Sequence, residues 1–173
     1  DKSLLTRPYA DDGYGAKVEG HDKPFWFVGV YAQWSVRQML LPALENLSKA
    51  YLLTGDTKYS HACGLLLWQL AEYYPNYFFE DQSRYSLEVK PTYLYHGRLM
   101  YHTWEAVFTC QTVPPAYDAI MPALENDKAL QKIAGLDGKG LRNYIETRVL
   151  RTMANDITDG SGRISDNYGM HQY

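Results

Sequence analysis

An amide and an imidazole four residues apart, Asn167 and His171, are the pair in this chain best suited to act together on one substrate group. They lie in the run Gly160-Ser161-Gly162-Arg163-Ile164-Ser165-Asp166-Asn167-Tyr168-Gly169-Met170-His171-Gln172-Tyr173, which is dense in hydrogen-bonding side chains. If Asp166 or Asn167 caps a new helix, positions 167 and 171 project from neighbouring turns. The plainer reading makes Asn167 only a cap and His171 an exposed helix residue. A second candidate cleft is the segment from Tyr93 through His96, Gly97 and Arg98 to Trp104 and Glu105. Arg98 can pair with substrate carboxylates or sulfates, and Trp104 can stack on a sugar ring. Its plainer reading buries Trp104 and pairs Arg98 with a surface acid.

Other chemistries find little footing. His21 and His61 have no convincing partners, and His61 reads as a surface residue of a helix. No His-Glu-x-x-His, paired-histidine or calcium-loop pattern occurs. A Gly-rich phosphate loop and a Gly-x-Ser-x-Gly elbow are also absent from the sequence. Neither a metal nor a cofactor is expected. Cys63 and Cys110 have no ligand or disulfide-framework spacing and read as buried thiols.

These residues must be carried by a chain of 173 residues, enough for one domain with a real core. Hydrophobic residues make up 46% and charged ones 21%, which is ordinary globular usage. With a net charge of −3 and no basic stripe, nucleic acid is not an expected partner. No apolar run approaches the ~20 residues that span a bilayer, so no membrane span is expected. The 16 tyrosines and 4 tryptophans outnumber the 5 phenylalanines severalfold. Rings with a polar tip suit half-wet surfaces such as sugar-binding clefts, although they also fill gaps between helices.

The elements expected are helices. Residues 1–27 hold scattered Pro and Gly and read as an irregular lead-in. From Val28 a helical face runs through Ala32, Val36, Met39, Leu40, Leu44 and Leu47, with a kink or break at Pro42. Thr54-Gly55-Asp56 punctuates it, with Gly55 as left-handed C′ and Asp56 as the next cap. The next helix, about Lys58 to Tyr74, turns Cys63, Leu66, Leu70 and Tyr73 to one side, making an αα-hairpin. A long loop over residues 76–95 leads to a helix from about Gly97 to Thr112. Pro114-Pro115 breaks it, and a short helix follows at about Ala116–Leu124. The last long helix, about Gly140 to Asp156, points Leu141, Ile145, Val149, Met153 and Ile157 inward. Strand signals and strict repeats are nearly absent, so the fold class expected is all-α, built of antiparallel helical hairpins.

The segment Gly162–Gln172 resembles one found in heparinase II/III-type and related alginate-lyase-type polysaccharide lyases. Leu52-Leu53-Thr54-Gly55-Asp56, followed by Tyr59 and Ala62, resembles an earlier helix-turn-helix of their catalytic domains. Ala116-Tyr117-Asp118 is similar to an aromatic-acid pair between them. The resemblance covers roughly residues 28–173. It implies that this stretch is the N-terminal part of an incomplete (α/α) toroid, whose remainder and following β-sandwich are missing here. It further implies β-elimination at a uronic acid of an acidic polysaccharide, in the periplasm or outside the cell. By that resemblance Asn167 neutralises the substrate carboxylate, and His171 is a neutraliser or base. Tyr168 and Gln172 orient them or the sugar, and Arg98, Trp104 and His96 belong to substrate binding. The family's acid-base tyrosine lies beyond this motif, so a chain ending at Tyr173 is expected to be inactive alone. Two rivals stand beside this reading. One is a toroidal-helix glycoside hydrolase drawing on acids such as Asp118, Glu105 or Asp166. The other is a non-catalytic carbohydrate-binding scaffold.

Overall fold

The computed structural model describes residues 15–17, 19–22, 24, 25, 28, 31, 34–77, 97–100 and 105–159. Among them the protein is all-α, and the only extended pairing is an isolated bridge between Ala16 and Phe25. The helices are α1 (Leu41–Thr54), α2 (Thr57–Tyr73), α3 (Cys110–Leu124), α4 (Lys128–Ala134), α5 (Gly138–Ile145) and α6 (Arg151–Thr158). Wider π turns lead into α1 (Val36–Leu40), into α3 (Glu105–Thr109) and from α5 into α6 (Glu146–Leu150). No helix among the described residues is long and apolar enough to cross a membrane.

The hairpin of α1 and α2 forms where its punctuation demands it. Gly55 takes φ 68°, a left-handed conformation that a residue with a Cβ adopts only with strain, and its N–H closes onto the Tyr51 carbonyl. Asp56 then caps α2, accepting the Lys58 N–H at 3.0 Å. α1, α2 and α3 pack pairwise against one another, and α5 closes against α2 and α3. Their shared core is Leu44, Leu67, Ile120, Leu124, Leu130 and Leu141, each at most 2% exposed. Gly64 lets α2 approach closely, since a Cβ there would lie 2.8 Å from Leu130 and 3.0 Å from Leu124.

Several sequence expectations need correction. Pro114 and Pro115 do not break the helix; both lie inside α3. Proline in a helix interior costs about 3 kcal/mol. Burial of Val113, Ala116, Tyr117, Ile120 and Leu124 along one face outweighs it. Residues 98–100 form a bend rather than the start of a helix. The inward faces also slip. Met39 is 72% exposed and Tyr73 is 52% exposed, while Tyr74 is fully buried. At the C-terminal end Asp156 is buried and Ile157 faces out at 37%. A π turn accommodates more residues than an α turn, so each one shifts the phase that a uniform 3.6-residue period extrapolates. Met39 sits within such a turn, and Ile157 follows one.

Candidate functional site

The site begins with a bend that no helix can make. At Gly97 a Cβ would sit 1.8 Å from the Met100 carbonyl oxygen and 2.8 Å from Glu105 Oε2, so the chain turns there only without a side chain. The turn aims three successive N–H groups at one oxygen. Glu105 Oε2 accepts from Arg98 at 2.6 Å, Leu99 at 2.8 Å and Met100 at 3.3 Å. Its other oxygen accepts the Tyr74 hydroxyl at 2.5 Å. Glu105 is fully buried, and burial pushes its carboxyl up to about 7 against the opposing pull of the Tyr74 and backbone donors. Burial, with Glu105 close by, likewise holds the Tyr74 phenol well above its ordinary range.

Arg98 extends this cluster across the fold. Its guanidinium donates to both carboxylate oxygens of Asp156 and, at 2.7 Å, to the Pro75 carbonyl. It also lies over the Tyr74 ring at 5.7 Å. Bidentate geometry of this kind is strong and direction-specific. The arrangement binds the end of α2, the 97–100 bend, the start of the α3 helix and α6 into one body. Chemically it is closed: Glu105 has 0% exposure and Asp156 3%, so a substrate has no approach to either. The cysteines are equally inert. Burial raises both Cys63 and Cys110 to about 12, leaving them as neutral thiols at neutral pH.

Of the residues singled out from sequence, Arg98 is therefore placed inside the protein, on Asp156. Asn167, Tyr168, His171, Gln172, His96 and Trp104 lie outside the described residues. Tyr117 donates its hydroxyl to Glu146 at 2.6 Å, and Arg142 bridges Glu146 at 2.8 Å and Glu125 at 3.1 Å. Burial and the neighbouring Glu146 push the Tyr117 phenol far up, which keeps it protonated.

One accessible pair escaped the sequence reading. His61 on α2 has a partner, because its Nδ1 lies 2.7 Å from Asp127 Oδ2. A carboxylate only accepts, so Nδ1 is the donor in this contact. Asp127 holds still because its other oxygen caps α4 through the Leu130 N–H at 2.9 Å. The pair borders a cavity of about 680 Å³ together with Tyr51, Lys58 and Lys128. The readable signal was Asp127 as a cap ahead of α4; that its spare oxygen meets His61 follows only from how α2 and α4 pack. Among the described residues no group of three or more His, Cys, Asp or Glu side chains could hold a metal. Family models, curated proteins and solved structures contain no match to this chain.

Proposed function

We propose that this chain is the helical part, an arc of an (α/α) toroid, of a polysaccharide lyase that cleaves uronic-acid polymers by β-elimination outside the cytoplasm. The observation that carries the reading is the run Asn167-Tyr168-Gly169-Met170-His171-Gln172. The all-α core of packed hairpins is compatible with it, and so is the buried Arg98–Asp156 pair. That pair anchors α6, the helix that leads the chain toward this run.

The chemistry matches the residue types. A carboxylate on C5 must have its charge offset before the C5 proton can be removed, because a dianion develops there. Asn167 donates a hydrogen bond to that carboxylate, and His171 either joins it as a second donor or serves as the base. A base, His171 or a tyrosine, takes the C5 proton as the C4–O4 bond breaks. The electron pair of the C5–H bond becomes the C4–C5 double bond, and the departing O4 oxygen is protonated by an acid. No redox partner or metal enters this balance.

A retaining or inverting hydrolase would instead require two carboxyl groups facing one cleft. Of the acids that reading draws on, Glu105 is sealed in the core, Asp118 is exposed on α3, and Asp166 lies outside the described residues. Burial of Glu105 removes one of the three acids from that reading. The test is absorbance at about 232 nm, where the conjugated enoate of the elimination product absorbs, across a panel of uronic-acid polysaccharides. The full-length protein should produce a rise on one substrate that Asn167→Ala and His171→Ala each abolish. A folded protein giving no rise on any polymer would overturn the lyase in favour of a hydrolase or a non-catalytic scaffold.

A further inference from the structure

α1 buries Leu41, Leu44 and Ser48 against its neighbours, and its opposite face is exposed and apolar at both ends. Met39, in the π turn ahead of α1, is 72% exposed, and Leu53, in its last turn, is 86% exposed. Single exposed apolar residues are ordinary, but these two end one stripe. Met39, Pro42, Asn46, Lys49 and Leu53 recur at alternating steps of three and four, and all are exposed. That spacing is the seam along which one helix meets another.

The stripe is complementary to itself when reversed. Asn46 stands midway between Met39 and Leu53, so a second copy laid antiparallel brings its Leu53 to Met39 and its Met39 to Leu53. Asn46 then faces the partner's Asn46, and a side-chain amide both donates and accepts. Beside the stripe, Glu45 holds Lys49 at 2.5 Å in a pair whose side chains are 53% and 64% exposed. An exposed pair of this kind is weak and readily exchanged. Reversal sets Glu45 within side-chain reach of the partner's Lys49, whereas a parallel neighbour would face like charge with like. Two hollows in the outer seam between α1 and α3 flank the stripe. One, of about 310 Å³, is bordered by Arg37, Gln38 and Pro42; the other, of about 490 Å³, by Lys49, Leu52 and Pro115. Each apolar end of a reversed copy therefore arrives beside a hollow.

We propose that two copies of this chain pair through α1, antiparallel about a two-fold axis at Asn46. Met39 of each copy packs on the partner's Leu53, and Glu45 of each exchanges its own Lys49 for the partner's Lys49. A two-fold interface must complement itself, and this stripe does so in apolar surface, in amide pairing and in charge. The pairing is independent of the lyase reading. One helix from each copy makes a small interface, so the dimer is weak and forms with rising concentration.

The experiment is sedimentation velocity of the full-length protein over a concentration series. The wild type should pass from monomer to dimer. Glu45→Lys makes this part of α1 wholly positive and Lys49→Glu makes it wholly negative, so each variant alone should dimerise about tenfold more weakly or less. Mixed in equal amounts, the two should form a heterodimer within roughly threefold of the wild-type affinity, because every lysine then faces a glutamate. Leu53→Glu should abolish association. All three positions are exposed, so the variants should melt as the wild type does. A wild type that stays monomeric at every concentration, as it would if another part of the protein covered α1, overturns the pairing. So does a dimer indifferent to Leu53→Glu or to both charge variants, or an equal mixture of the charge variants that stays monomeric.

Discussion

Arg98 and Arg37 are the same side chain in opposite circumstances. Arg98 is 9% exposed with its guanidinium divided between Asp156 and the Pro75 carbonyl. Arg37 is half-buried on the outer seam with an unsatisfied Nε. The first arginine is needed by the fold, because removing it strands a buried carboxylate. The second is a charge the fold does not use. Internal pairing separates the two arginines, and residue type alone does not.

The contrast can be broken most forcefully at Asp156. Asp156→Ala leaves Arg98 buried without its carboxylate and should destabilise the protein by about 3–5 kcal/mol in urea unfolding. A loss below about 1 kcal/mol would mean that the pair is solvated and Arg98 is free for substrate after all.

The next effect in size is a pH dependence. The carboxyl of Glu105 is raised to about 7 in the fold from its ordinary 4.5. The folded state therefore holds its proton where the unfolded chain has released it. Stability is full below about 4.5 and falls as pH rises to about 7, by on the order of 3 kcal/mol. Thermal melts of Glu105→Gln should lack this slope, and a variant that keeps it would place the titration elsewhere.

Smaller again is Arg148. Its Nε donates to the Ala71 carbonyl at 2.6 Å and its Nη2 to the Glu72 carbonyl at 3.0 Å, closing the C-terminus of α2 with a positive charge. Arg148→Ala should lower stability by about 1–2 kcal/mol. The smallest change is expected at Arg37 itself. Arg37→Met removes an unsatisfied donor and keeps the apolar stem, so unfolding should shift by less than about 0.5 kcal/mol in either direction. A large loss there would make Arg37 structural and collapse the distinction from Arg98.

The helical class, the hairpin at Thr54-Gly55-Asp56 and the burial of Leu44, Leu70, Leu141 and Ile145 were all legible in the chain. Each rests on interactions within a turn or two: a left-handed glycine, a capping carboxylate, an apolar stripe. Expectations failed where distant residues supplied the energy. Pro114 and Pro115 remain helical because α1 and α2 cover that face of α3. Asp156 turns inward because Arg98 waits there, and His61 gains Asp127 because α4 packs beside α2. The site expected at Asn167 and His171 was read from pattern alone, and its residues lie outside the described residues. Local chemistry set which segments coil and where they stop. The pairing of charges across those segments was chosen by packing, since a carboxylate and a guanidinium far apart in sequence meet only after the apolar faces have brought their helices together.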